Sequence, residues 1–138
     1  MKIYFAASVR GGRQNASIYH QIISLLQKKG LVLTEHLGEA ELGYLGENSL
    51  SDNKIFNRDI KWLTSSDCII AEVSSPSLGV GYEIGIAEKI NKPILCLYEY
   101  DRTKKISAMI RGNNYIVCKA YKNIKEVKKY INEFFSSF

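Results

Sequence analysis

Ile69-Ile70-Ala71-Glu72-Val73-Ser74-Ser75-Pro76-Ser77-Leu78-Gly79-Val80-Gly81-Tyr82-Glu83-Ile84-Gly85 is the stretch on which the fold turns. Its first residues form an apolar run, the mark of a strand covered on both faces. Ser74 to Gly81 read as a polar loop. A helical pattern follows, with one carboxylate, Glu83, expected in its opening turn. Open α/β sheets place ligands at such strand–loop–helix junctions, outside the carboxyl ends of the strands. The hydroxyls of Ser74, Ser75 and Ser77 and the amides of glycines such as Gly79 suit a phosphate.

Working outward, the rest of the chain repeats that alternation. Lys2 to Ala7 reads as the first strand, Ser8 to Arg13 as a loop, and Asn15 to Lys29 as a helix with Gly30 as its C′ residue. Leu31 to Thr34 is a second strand. His36 to Ser51 has no clear period and reads as a long loop, a length that is often functional. Asp52 is expected to cap a helix to Ser65, with Ile55, Phe56, Ile60 and Leu63 on its apolar face and Asp59 at the border. Cys68 to Val73 is the third strand, Ile94 to Tyr98 the fourth and Tyr115 to Lys119 the fifth. The Glu83 helix ends at Asn91, and a single turn lies around Ser107 to Ile110. A last helix is capped by Asn123, with Glu126 completing a capping box. This order predicts an α/β fold with a doubly wound, five-stranded parallel sheet covered on both faces by helices. One domain over residues 1–138 is expected, and 138 residues suffice for its core.

Hydrophobic residues make up 46% of the chain and charged residues 24%, an ordinary globular balance. No apolar stretch approaches a membrane span and no signal peptide opens the chain, so a cytoplasmic location and no membrane partner are expected. Cys68, Cys96 and Cys118 lie in or beside apolar runs and read as reduced thiols, too widely spaced for a zinc site. The net charge of +5 hints at nucleic acid. Much of the excess, however, sits at Lys119, Lys122, Lys125, Lys128 and Lys129, mostly on the polar side of the last helix, so no nucleic acid partner is expected.

Ser8, Arg10, Gly11, Gly12 and Arg13 lie between the first strand and its helix. Arginine can give paired hydrogen bonds to a phosphate, and the glycines let amides approach it. By itself this loop is equally a solvated turn. The first and third strands are expected as neighbours, however, and their loops would then face each other across one crevice. A first-turn Glu83 gains about 0.3–1 kcal/mol from the helix dipole, which would keep it ionised for attack on an anomeric carbon. Asp59 reads first as a boundary residue paired with Arg58 or Lys61, Tyr4 as a core aromatic, and His20 and His36 as structural. Glu35 ends the second strand, where dinucleotide folds keep a ribose-binding acid, but G-x-G-x-x-G is missing and NAD is a poor fit.

Ile3 to Arg13, Leu33-Thr34-Glu35-His36, Asp59-Ile60-Lys61-Trp62-Leu63, Ala71 to Gly85 and Ser107-Ala108-Met109-Ile110-Arg111-Gly112 resemble, in the same order, the 2′-deoxynucleoside 5′-phosphate N-hydrolases of the nucleoside 2-deoxyribosyltransferase superfamily. The resemblance implies a Rossmann-like, flavodoxin-like domain that cleaves deoxynucleoside monophosphates to free base and 2-deoxyribose 5-phosphate. It implies Glu83 as nucleophile, Tyr4 beside the sugar, and Asp59 on the sugar and in proton transfer. It further implies Ser8, Arg10, Gly11 and Ser77 on the 5′-phosphate, and Ser107 reaching the neighbouring site of a homodimer. No metal or organic cofactor is implied. Relatives often carry glycine at the position of Ala7, whose methyl is expected near the sugar. Three other readings stand beside this one: base exchange by a deoxyribosyltransferase, a ribonucleotide-preferring hydrolase of the CMP type, and a nucleotide-binding module without catalysis. The C-terminal Glu133 to Phe138 offers no asparagine of the kind transferases take from a partner chain.

Overall fold

The computed structural model describes residues 1–8, 16–34 and 50–138. The expected loops at Arg10–Arg13 and across most of His36–Ser51 fall outside them. Ten elements follow in order: β1 (Lys2–Ala6), α1 (Ala16–Gln27), β2 (Leu31–Val32), α2 (Asp52–Ser65), β3 (Cys68–Glu72), α3 (Leu78–Lys89), β4 (Ile94–Glu99), α4 (Ala108–Arg111), β5 (Val117–Tyr121) and α5 (Ile124–Phe135). The strands form one parallel sheet in the order β2-β1-β3-β4-β5.

Alternation along β1 sorts the core into two layers. Ile3, Phe5 and Ala7 join Cys68, Ile70, Leu95 and Leu97 beneath α1 and α5. Tyr4 and Ala6 join Ile69, Ala71 and Cys96 beneath α2 and α3. β1 therefore feeds a helix on one face and its neighbour β3 a helix on the other. Such a reversal is where open α/β sheets place a crevice, here at the carboxyl ends of β1 and β3. Ala7 packs its methyl under α1 and α5, across the sheet from Tyr4.

Several boundaries differ from the sequence reading, each for a local reason. β5 starts at Val117, because the Asn113 side chain accepts from the Tyr115 amide and holds Tyr115 in a turn; pairing with β4 begins at Leu95 and Val117. Ser51, not Asp52, caps α2, its hydroxyl accepting from the Lys54 amide. On that helix only Leu63 is fully buried, and Phe56 is exposed. Asn91 takes the left-handed position after α3, with φ 58°. The Lys92 and Asn91 amides reach back to the Ala87 and Glu88 carbonyls, a Schellman ending. Gly30 has no such conformation. It is glycine because a Cβ there would collide with the Met1 carbonyl oxygen, which accepts from the Leu31 amide. Glu126 does accept a backbone amide, but that of Lys122 rather than of the cap residue.

The three cysteines carry free thiols on β3, β4 and β5. Burial pushes the Cys68 thiol up to about 12, so it is no nucleophile. Among the described residues, no helix is long and apolar enough to cross a membrane, and no group of three or more His, Cys, Asp or Glu side chains is arranged to hold a metal.

Candidate active site

Ser77 starts α3 by accepting the Val80 amide at 3.3 Å, and this early start moves Glu83 out of the first turn. Glu83 is the sixth residue of α3, on the shoulder of the stripe made by buried Val80, Ile84 and Ala87. The helix dipole fades beyond the first turn. The expectation that it keeps Glu83 ionised is therefore replaced by a different balance. Burial pushes the carboxyl up to about 7. The Tyr4 hydroxyl, donating to Oε1 at 2.8 Å, works against that rise, and the charge of Asp59 adds to it. Near neutral pH Glu83 is poised between acid and base, the condition suited to both proton transfer and nucleophilic attack.

Tyr4 is 2% exposed in the middle of β1, and its ring points to the α2/α3 side. Its hydroxyl is raised above the ordinary tyrosine value, first by burial and then by Glu83 and Asp59. It therefore stays a donor. Asp59 is half-buried on α2, and Arg58 binds its Oδ1 through Nε and Nη2, both at 2.9 Å. The Arg58 guanidinium lies 4.7 Å from the Trp62 ring centroid. The boundary pairing with Arg58 thus holds, and it coexists with Asp59 acting electrostatically on both Tyr4 and Glu83.

The structure brings Tyr4, Asp59 and Glu83 together between β1, α2 and α3. Ser8 is buried just past the end of β1. Ser77, as the cap of α3, spends an acceptor on Val80 and keeps its hydroxyl proton for another partner. Gly79 is exposed in the first turn, and a Cβ there would make only ordinary contact with Ser77. Gly81 and Gly85 are exposed, and a Cβ at either would stand in open space. Ser74 is turned inward. Its hydroxyl donates to Glu72 and accepts from the Glu99 amide at 2.8 Å, which removes it from the candidate phosphate donors. Ser107 caps α4 by accepting from the Met109 amide at 3.2 Å. Arg10 and Gly11 lie outside the described residues.

Sequence reasoning missed Glu72. It is fully buried at the end of β3, and its Oε1 accepts from Ser74 and from the Tyr121 hydroxyl at 3.0 Å. The available signal was a lone acid closing an otherwise apolar strand, since buried acids are rare.

Residues 3–132 match the family described as Nucleoside 2-deoxyribosyltransferase. The chain belongs to this family. A 5-hydroxymethyl-dUMP N-hydrolase of Tetraodon nigroviridis is 44% identical over 141 residues, which cover 99% of each chain. One from Danio rerio is 54% identical over 112 residues, 81% of this chain and 78% of that one. A CMP N-glycosidase structure from Clostridium botulinum shares the fold, with a TM-score of 0.68 over 97% of this chain and 99% of that one at 20% identity.

Proposed function

We propose that this family member is an N-hydrolase of 2′-deoxynucleoside 5′-monophosphates, releasing the free base and 2-deoxyribose 5-phosphate. The observation that carries the reading is the desolvated Glu83 carboxyl, held by the Tyr4 hydroxyl at 2.8 Å beside Asp59, at the carboxyl ends of β1 and β3. The names of the relatives from Tetraodon nigroviridis and Danio rerio support the same reaction and make 5-hydroxymethyl-dUMP the first substrate to test. In this reading the phosphate is held by Ser8, Arg10, Gly11, Ser77 and the Gly79 amide.

The ionised Glu83 attacks C1′ as the base departs, giving a glycosyl ester, and Asp59 relays a proton from solvent to the leaving base. Asp59, ionised again, takes a proton from the water that opens the ester and releases it to solvent, which leaves both carboxylates as they began. Tyr4 holds Glu83 in line and its donor hydroxyl stabilises the anion. Phosphate binding far from the reacting carbon supplies orientation. No metal or organic cofactor takes part.

The whole chain works as one domain, in the cytoplasm, as a homodimer. Leu78 is 98% exposed, and Leu78 and Tyr82 lie four apart on the outer side of α3, an apolar stripe that supports pairing with a second copy. Ser107 then serves the partner's site. Light scattering tests this: a monomer with full activity would remove the role of Ser107.

Base exchange between nucleosides is the second reading, favoured by the description of the matching family. Chromatography of free base from deoxynucleotides, ribonucleotides and nucleosides, with and without a second base, separates the two. Release from deoxynucleotides is expected, with none from ribonucleotides and only slow release from the matching nucleosides. Exchange without release from any monophosphate would move the assignment to a transferase. Tight monophosphate binding without either reaction would leave a binding module.

A further inference from the structure

Among the described residues, Glu72 is buried and Glu83 part-buried at the carboxyl end of the sheet, and of the two the proposed reaction uses only Glu83. Glu72 closes β3 on the side of Cys68 and Ile70, which packs under α1 and α5, so it faces away from Tyr4. A fully buried carboxyl is costly, and apolar replacements of buried charges are often neutral or stabilising. Packing therefore gives no reason for an acid here. Its bonds suggest one. Oε1 accepts from Tyr121 on β5 and from Ser74 in the β3–α3 loop, and Ser74 in turn accepts from the Glu99 amide at the end of β4. The Val73 amide also bonds to the Leu97 carbonyl at 2.8 Å. The loop is thus pinned to three strand ends at Ser74. Among the described residues Oε2 has no hydrogen-bond partner, and Oε1 makes the tie.

Only Ser75 and Pro76 separate Ser74 from Ser77. Proline fixes its own φ and restricts the residue before it, so little slack is left between the pin and the first turn of α3. We infer that Glu72 is a positioning residue: by holding Ser74 it sets where Ser77 and the first amides of α3 meet a phosphomonoester. This rests on the proposed reading of the loop as the phosphate site. Burial raises the Glu72 carboxyl above its ordinary value, in keeping with a group that works as a hydrogen-bond acceptor and does not need its charge.

The test uses Glu72→Leu, Glu72→Gln and Ser74→Ala in the full chain, with a deoxynucleoside monophosphate, the matching nucleoside, and inorganic phosphate as competitor. Glu72→Leu and Ser74→Ala are expected to raise the monophosphate KM about tenfold and to weaken phosphate inhibition by the same factor, with kcat within about twofold. Glu72→Gln keeps an acceptor oxygen and is expected to restore both constants to within about twofold of the parent. Nucleoside kcat/KM should not move. Unchanged KM and phosphate inhibition in folded variants would overturn the inference, as would equal losses on nucleotide and nucleoside. If Glu72→Leu does not fold, Ser74→Ala decides by the same readout. A parent that releases no base from any monophosphate would sink the proposed function instead. Calorimetric titration with inorganic phosphate would then still decide this point, weaker binding in Ser74→Ala supporting it and equal binding overturning it.

Discussion

Two glutamates lie on opposite faces of the same sheet edge, and burial raises both carboxyls. Their surroundings differ in what opposes the rise. Glu72 is fully enclosed and meets the hydroxyls of Ser74 and Tyr121 and the Ser74 backbone, with Glu99 pushing it further up. Glu83 is part-buried, has among the described residues a single donor in Tyr4, and has the ion-paired Asp59 close by. One arrangement uses a carboxyl as a fixed acceptor inside the protein. The other leaves a carboxyl near neutrality at the edge of a crevice. Environment, not residue type, separates a structural acid from a reactive one.

The sharpest way to break this contrast is to replace Glu83. In the proposed mechanism Glu83→Gln keeps the shape and loses the nucleophile, and kcat is expected to fall by roughly 10³-fold or more. Base release under single-turnover conditions measures it. A fall of less than about tenfold would show that the reaction does not pass through this carboxylate.

Next come two variants expected to act in opposite directions on the same group. Tyr4→Phe removes the hydrogen bond that favours ionised Glu83, so its pKa rises. Asp59→Asn removes a repelling charge, so it falls. The parent's kcat/KM should drop about tenfold per pH unit below about 7, where Glu83 takes up its proton. Tyr4→Phe should move that limb up by about one pH unit and Asp59→Asn should move it down, each with a lower plateau. The substrate phosphate titrates near pH 6, but it is common to all three enzymes and cancels in the comparison. Shifts of the same sign would mean that another group sets the limb.

The parts legible in the sequence were those governed by local pattern. Apolar runs such as Cys68 to Val73 and the helical spacing of Ile22, Ile23 and Leu26 are enough to call strands, helices and a parallel sheet. Errors came where a side chain rewrote the backbone. The Asn113 carbonyl delays β5, and the Ser77 cap advances α3 and so displaces Glu83 from the dipole. The Ser77 signal was readable, because a serine directly before a periodic segment is a cap candidate. The Tyr4–Glu83 bond joins residues 79 apart, and it exists only through strand pairing and helix packing that no local pattern encodes. Only the family resemblance singled out Tyr4. Glu72 was passed over because neither its strand pattern nor the resemblance gave it a role.

The raised carboxyl of Glu83 also links activity to stability. Its folded value of about 7 lies above the ordinary 4.5, so the native state holds the proton more tightly than the unfolded chain. That contribution is fully present below about pH 4.5 and is lost as pH rises through about 7, to a limit on the order of 3 kcal/mol. Glu83→Gln mimics the protonated form at every pH. Its Tm should match the parent's near pH 5 and exceed it by several degrees at pH 8. Equal Tm values at pH 8 would mean that Glu83 is ionised without cost, and its contrast with an ordinary surface acid would vanish.

The smallest expected effect compares the caps of the two helices that present the carboxyls. Ser51 and Ser77 each accept the amide three residues on, at the same 3.3 Å. Ser51→Ala and Ser77→Ala should each cost about 1 kcal/mol of stability, read from urea midpoints. If stability were their whole role, the two variants would also behave alike in kinetics. In the proposed site they do not. Ser77 has a hydroxyl proton to give to the phosphate, so Ser77→Ala should raise the monophosphate KM several-fold and leave nucleoside KM in place, whereas Ser51→Ala should move neither. Equal KM changes in the two variants would place the phosphate elsewhere than the first turn of α3.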